Sequence, residues 1–329
     1  FTEWWCETFA FDENEVFANQ TPFYFDASVK DIYATLRCGA TMHIVPRKLF
    51  SLPKKLVQFL IDKKITCIDW VPSALCMIVN FRALDKEKPE TLKKVMFLGE
   101  VMPTKQFNMW RRAMPQVKFA NLYGPTEATG DCTYYKIERQ FEDTEPIPIG
   151  YACNNTEVLL LDGDRLVTEP ETVGEICVRG CSLAHGYFNN PEKTREAFVR
   201  NPLQPNYYER IYRTGDLAKY NQYGEIVFLA RKDSQIKHMG HRIELGEIET
   251  ALGAVPGVRR GCCLYEHKSQ KIVAIYEGDL EPKNLTEQLK EKLPSYMLPN
   301  RYEVLAQMPI NLNGKIDRTL LKRQYIKEN

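Results

Sequence analysis

Between residues 40 and 122 the apolar positions follow two periods in turn. Short β-rich runs, "ATMHIV", "ITCIDW", "VMFL" and "VKFANL", alternate with stretches of helical spacing. In "SLPKKLVQFLIDKK", Leu52, Leu56, Phe59 and Leu60 share a face, Ser51 stands where a cap belongs and Pro53 falls in the first turn. "SALCMIVNFRAL" and "TKQFNMWRRAM" repeat the helical pattern before the next apolar runs. The alternation predicts an α/β fold, a parallel sheet with crossover helices. Ligands of such sheets gather beyond the carboxyl ends of the strands. Three ends are marked here: Asp69 and Trp70 before Pro72, Gly99 and Glu100 after "VMFL", and "YGPTE" after "VKFANL". One pocket lined by all three is expected.

Beyond residue 150 the pattern changes. "TEVLLLD", "GEICVRG" and "IYRTGDLAKYNQYGEIVFLAR" are short strand runs split by turn residues, which predicts a small β-barrel-like subdomain over 151–232. A third unit, 233–329, mixes helices and strands. Leu245, Ile248, Leu252 and Val255 share one helical face, "VAIYEG" reads as a strand, and "NLTEQLKEKL" sets Asn284 and Glu287 in capping-box spacing with Leu285, Leu289 and Leu293 stacked. This is a C-terminal α+β domain, and 1–150 is the α/β part.

Composition narrows the function classes. Among 329 residues, Lys plus Arg (44) nearly cancel Asp plus Glu (43), so no overall field draws nucleic acid or an anionic membrane. No apolar run reaches a membrane span, and "FTEWWCETFAF" lacks the basic region and cleavage site of a signal peptide. The 10 cysteines show no C-x-x-C spacing, and adjacent Cys262 and Cys263 cannot easily bridge each other. Reduced thiols and a cytoplasmic location are expected. None of the five histidines stands at metal-ligand spacing.

Candidate chemistry lies in "NLYGPTEATG", where a rigid turn leaves Thr126 and Glu127 at a strand's carboxyl end. From these residues alone a functional hydroxyl–carboxylate pair and a bland helix start, with Glu127 favoured by the helix dipole, stand open. Further motifs follow a fixed order: "FDAS" at 25–28, "GEICVRGCSLAHGY" at 174–187, "YRTGD" at 212–216, "RKDSQIKHMGHRIELGEIE" at 231–249 and "NGKIDR" at 313–318. Together they resemble the adenylate-forming (AMP-binding) superfamily, in the amino-acid-activating branch that holds nonribosomal peptide synthetase adenylation domains and D-alanine:carrier protein ligases.

The resemblance implies a two-step reaction. A carboxylate attacks the α-phosphorus of ATP to give an acyl-adenylate and pyrophosphate, and a carrier-bound phosphopantetheine thiol then takes the acyl group. It implies that Thr126 contacts the α-phosphate, that Glu127 helps hold Mg²⁺, and that Tyr123 and Gly124 border the adenine. Asp216 resembles the carboxylate that accepts the ribose hydroxyls, a task suited to two acceptor oxygens, and Arg231 the arginine near ribose and phosphate. Lys315 resembles the lysine that bridges substrate carboxylate and α-phosphate. Asp26 resembles the partner of a substrate α-ammonium, which favours an amino acid over a fatty acid.

Ala27, Lys30, Asp69, Met96, Leu98, Leu122, Gly130 and Asp131 complete the pocket by the same resemblance, with a surface position as the alternative for Lys30, Asp69 and Asp131. "FDASVKDIY", "MFLGEVMP" and "YGPTEAT" are most similar to the D-alanine ligases, with Leu98 where those ligases usually carry cysteine. Other departures are Ala230 for the usual glycine and His185 for the usual arginine. Asp233 resembles the hinge of a mobile C-terminal domain, and Lys237 and Gly240 the border of the thiolation tunnel; the bland alternative there is an amphipathic hairpin.

The superfamily's Ser/Thr/Gly-rich phosphate loop has no counterpart in this chain. About the first third of the enzyme is therefore expected to lie outside it, and the chain alone is expected to activate poorly. A short run after "NGKIDR" favours a stand-alone ligase over a synthetase module for another amino acid. A reading of a different class is a non-catalytic amino-acid or nucleotide binding remnant, which a missing phosphate loop suits and a retained "NGKIDR" does not.

Overall fold

Apolar residues at both parities of the short strands require cover on both faces of a sheet, and the chain supplies it. The computed structural model describes residues 1–232, 235–238, 241–266, 268–311 and 314–326, with positions 235, 237, 241 and 242 described as backbone alone. In chain order the first region contains α1 (Thr2–Phe9), β1 (Val16–Asn19), α2 (Ser28–Cys38), β2 (Thr41–Ile44), α3 (Pro53–Asp62), β3 (Cys67–Trp70), α4 (Pro72–Asn80), β4 (Lys94–Leu98), α5 (Thr104–Ala113), β5 (Lys118–Tyr123), β6 (Thr133–Lys136) and β7 (Tyr151–Ala152). They build a seven-stranded sheet in the order β2-β1-β3-β4-β5-β6-β7. Pairing is parallel from β2 to β5 and antiparallel beyond.

Period-2 alternation sorts the side chains. Ile68, Trp70, Val95, Phe97 and Phe119 face α3, α4 and α5, where Leu56, Leu60, Ile78, Phe107 and Trp110 close one core. Cys67, Met96, Leu98, Ala120 and Leu122 take the other face, under Trp4, Trp5 and Cys6 of α1 and Ala34 of α2. The site develops on this second face.

The next region holds β8 (Thr156–Asp162), β9 (Arg165–Leu166), β10 (Gly174–Gly180), α6 (Pro191–Ala197), β11 (Phe198–Arg200), β12 (Arg210–Tyr220) and β13 (Ile226–Arg231). The strands form a six-stranded antiparallel sheet. The last contains β14 (Gln235–His238), β15 (His241–Glu244), α7 (Leu245–Gly253), β16 (Val258–Glu266), β17 (Lys271–Gly278), α8 (Pro282–Lys290), β18 (Arg301–Leu305) and α9 (Arg318–Tyr325). Its sheet β16-β17-β18 carries α7 and α8 on one face and α9 on the other. Adjacent Cys262 and Cys263 point to these opposite faces, and all 10 cysteines are free.

Two expected caps are absent. α3 begins after Leu52 with Pro53 at its first position, while Ser51 ends a short 3₁₀ turn, Arg47–Ser51, and makes no cap bond. α8 begins at Pro282, so Asn284 is already inside the helix and Glu287 pairs with Lys290 at 2.8 Å. In both helices proline, whose fixed φ suits the first turn, sets the start. Asp317 is a true cap, accepting from the Leu320 amide at 2.9 Å.

Candidate active site

The turn after β5 is tightly closed. A Cβ on Gly124 would fall 1.9 Å from the Gly130 carbonyl oxygen, so only glycine lets the two ends of this loop meet. Thr126–Ala128 form a single 3₁₀ turn, and Thr129 then turns left-handed at φ 57°. A helix start therefore does not account for Glu127, because no α-helix follows it. Thr126 is exposed and Glu127 half-buried. The Glu127 carbonyl accepts from the Ala184 amide at 2.8 Å, and its Oε1 accepts from the Tyr187 hydroxyl at 2.6 Å. Tyr187 had no role in the sequence reading; its motif was visible, but nothing in the residue order shows that it reaches 60 positions back.

Asp216 sits inside a strand rather than after a turn. β12 runs unbroken from Arg210 to Tyr220, and Gly215, at φ 72°, absorbs a bulge where the pairing with β10 shifts register. Opposite Asp216 in the ladder stands Arg231. The Asp216 carboxylate, buried, accepts from the Tyr123 hydroxyl at 2.6 Å and lies 3.2 Å from the Arg231 guanidinium. Burial, with the Asp216 charge added, pushes the Tyr123 phenol well above its usual range, so it stays a donor. One carboxylate is thus steered from two sides.

Lys315 reaches the same edge of the sheet from far along the chain. Bonds between Asn311 and Lys315 hold its turn: the Asn311 amide donates to the Lys315 carbonyl at 2.7 Å, and the Lys315 amide to Asn311 Oδ1 at 3.1 Å. Gly314 lies against Gln20 and Val71, and a Cβ on Gly99 would sit 3.0 Å from Lys315 Nζ. The ammonium therefore rests on the strand end that Gly99 marks. Bonds across the seam keep it there: Arg260 donates to the Ser73 carbonyl (2.8 Å), Asn80 to the Arg259 carbonyl (3.1 Å) and Lys105 to the Val255 carbonyl (3.0 Å). Ser73 also donates through amide and hydroxyl to Glu100, at 3.0 and 2.6 Å, which ties the Gly99 turn to α4.

Asp26 is half-buried just before α2, with Oδ1 accepting from the Ala27 amide at 2.9 Å. Ala27 packs with Leu98 and Leu122 in the second core. Lys30, Asp69 and Asp131 correct the surface reading: all three are buried and form one ion cluster. Lys30 Nζ lies 2.6 Å from Asp69 and 3.2 Å from Asp131, with the Trp5 ring centroid 5.2 Å away. Burial opposes the Lys30 charge, yet the two carboxylates hold its pKa above the usual lysine range. Burial also raises Asp131 to about 6 despite Lys30, and raises Asp31, which accepts from Asn19, to about 7. Gly130, at φ 84°, leaves room for the Phe1 ring.

Asp233 and Gly240 lie outside the described residues. Lys237 is described only as a backbone position of β14, opposite Arg242 in β15. The described residues contain no cluster of three or more His, Cys, Asp or Glu side chains that would hold a metal alone. Glu127 offers a single carboxylate, which fits Mg²⁺ that takes one or two carboxylates and completes its shell with phosphates and water. No described helix is long and apolar enough to cross a membrane.

Against known proteins, the family model "AMP-binding enzyme" matches residues 1–188. Tyrocidine synthase 3 of Brevibacillus parabrevis is 37% identical over 305 residues, covering 90% of this chain and 4% of that protein. The L-proline--[L-prolyl-carrier protein] ligase of Pseudomonas fluorescens is 34% identical over 333 residues, covering 98% of this chain and 63% of that one. Among solved structures, a four-domain nonribosomal peptide synthetase bound to AMP and glycine superposes with a TM-score of 0.84 at 28% identity, over 100% of this chain and 24% of that one. The chain thus spans less than two thirds of each of these relatives.

Proposed function

Because the chain belongs to the AMP-binding enzyme family, we propose that it is the nucleotide- and amino-acid-binding part of a ligase that adenylates an amino acid and passes it to a carrier-protein thiol. The single observation that carries this reading is the meeting of Lys315 with the Gly99 strand end, on the sheet edge that also carries the Thr126–Glu127 turn.

In this reading Asp216 accepts the ribose hydroxyls while Tyr123 and Arg231 fix its orientation, and Thr126 donates to the α-phosphate. Asp26 takes the substrate α-ammonium. Lys315 brings the substrate carboxylate to the α-phosphorus and neutralises the charge that develops there, a task suited to a point charge on a flexible stem. A carboxylate oxygen bonds to phosphorus as the bond to the β-phosphate oxygen breaks and pyrophosphate leaves. The carrier thiolate then attacks the acyl carbon and AMP departs. Bound Mg²⁺ would be held by Glu127 and would offset phosphate charge. Rotation about Asp233, after the first step, would bring Lys237 and Gly240 to the site in place of Lys315.

D-alanine is the substrate that the sequence motifs favour, and a synthetase domain for another small amino acid is the alternative reading. The relatives include both a peptide synthetase and a carrier-protein ligase. The deciding experiment is exchange of labelled pyrophosphate into ATP by the full-length natural protein, driven by single amino acids of both hands. Strong exchange with one amino acid is the expected outcome. Silence across the panel while AMP still binds would replace this reading with that of a binding protein.

A further inference from the structure

Two thiols 32 residues apart in the chain meet where α1 packs against α2. Cys38 Sγ lies 3.6 Å from Cys6 Sγ and 3.5 Å from the Phe11 carbonyl oxygen. Helix geometry brings them together. Glu3 and Cys6 stand three positions apart on α1 and so share a face, while Arg37 and Cys38 are the last two residues of α2. Arg37 closes a two-pronged ion pair with Glu3, Nε to Oε1 at 2.8 Å and Nη2 to Oε2 at 3.0 Å, which sets the register of the two helices. Just past the end of α1, the Phe11 amide donates to the Cys6 carbonyl at 3.0 Å and fixes the backbone behind the inner sulfur.

The two sulfurs differ in access. Cys6 is buried, whereas Cys38 is half-buried, and its neighbour Gly39 has no atom within 4 Å of where a Cβ would stand. Burial, with the Cys38 thiol beside it, pushes the Cys6 thiol up to about 12, so Cys6 stays protonated until a reaction at Cys38 calls on it. The Arg37 charge is felt at both sulfurs. A partly exposed thiol beside a cation and a second thiol is the setting in which oxidation by peroxide takes hold. Nearness to a second thiol separates Cys38 from the exposed Cys181, whose sulfur lies 3.7 Å from the Asn155 carbonyl oxygen.

We propose that Cys6 and Cys38 form a reversible oxidation site, in which a peroxide converts the two thiols into a disulfide that ties α1 to α2. Cys38 sulfur attacks one peroxide oxygen, the O–O bond breaks, and a sulfenic acid and one water result. Cys6 sulfur then attacks Cys38 sulfur; the S–O bond breaks, the S–S bond forms, and the hydroxyl leaves with the Cys6 proton as a second water. Two thiols lose two electrons in all, and one peroxide gains them. The sulfurs close by about 1.5 Å to reach a bond of about 2.05 Å. A dithiol reductant reverses the step by exchange. This chemistry needs neither nucleotide nor amino acid.

The test is peptide mapping of the full-length natural protein. The folded protein is treated with a few equivalents of hydrogen peroxide, cleared of excess by catalase, unfolded, alkylated and digested for mass spectrometry. A peptide pair joined through Cys6 and Cys38 should hold most of the oxidised Cys38 and should vanish after dithiothreitol. Cys38 found chiefly as sulfinic acid, or joined to a different cysteine, overturns the proposal, as does a Cys6 that still takes alkyl label in full. Oxidation of the protein unfolded in guanidinium should show no preference for this pair; an equal yield there would mean that the fold does not create the site.

Variants assign the two sulfurs. Cys6→Ala removes the resolving thiol, so a sulfenic acid at Cys38 should accumulate and be trapped by dimedone. Cys38→Ala should leave Cys6 unoxidised at the same peroxide dose; oxidation of Cys6 in that variant would overturn the order of steps. Melting of the wild-type protein reads the tie between the helices directly. The oxidised form should melt several degrees above the reduced one, because the link restricts the unfolded chain, and a lower melting point would show that the bridge does not fit the packing of α1 on α2.

Discussion

At the scale of single residues, the proposed function gives the Asp216 carboxylate and the Lys315 ammonium separable tasks. Replacing Asp216 by Asn removes the ionised acceptor that Tyr123 and Arg231 steer. Hydrogen bonds to charged groups are worth about 1.5–3 kcal/mol, so AMP affinity should fall roughly ten- to a hundredfold, measurable by calorimetry on this chain. Lys315→Met should leave AMP binding within about twofold and lower exchange by the full-length protein by about a hundredfold or more. Equal losses of AMP binding in both variants would contradict this division. A second residue-scale prediction concerns pH. Because the folded pKa of Asp131, about 6, lies above the ordinary 3.8, the folded state holds its proton more tightly than the unfolded chain. That stability is fully present below about pH 4 and is lost as pH rises to about 6. Relative to Asp131→Asn, the wild-type melting temperature should therefore fall across that window and run parallel above it, in melts from about pH 4 to pH 8.

Elements show where sequence reasoning holds and where it fails. The strands and helices between residues 41 and 123 were legible because each apolar run is long enough to show its period. The two misplaced caps have one cause: a capping side chain and a first-turn proline stood within two residues of each other, and proline decides. The ion cluster was not legible, since Lys30 and Asp131 lie 101 residues apart and polar letters in a pattern default to the surface. Partners that distant become neighbours only through sheet order. Caps provide the element-scale test. Asp317→Ala removes a bond seen at 2.9 Å and should cost about 1 kcal/mol, whereas Asn284→Ala should stay within about 0.5 kcal/mol, both read from denaturant midpoints. A comparable cost for Asn284 would restore the capping box.

For the whole molecule, the seam between the first region and the C-terminal sheet decides where Lys315 rests. Arg260→Ala deletes its bond to the Ser73 carbonyl, and with it one link between the C-terminal sheet and the Glu100–Ser73 pair. Adenylation by the full-length protein should slow several-fold, while transfer from preformed adenylate to a pantetheine thiol should not slow, as single-turnover kinetics would show. Slowing of both steps would mean that the seam does more than hold one arrangement.

The three seam bonds described here all end on main-chain carbonyls, those of Ser73, Val255 and Arg259. A carbonyl is present whatever the side chain, so half of every bond survives sequence drift without selection. Only the donors Asn80, Lys105 and Arg260 need to be kept. Recombination should therefore be forgiving at this boundary: a C-terminal unit borrowed from a relative about a third identical should dock if the carbonyls stay in register, the recipient keeps Asn80 and Lys105, and the borrowed unit brings the equivalent of Arg260.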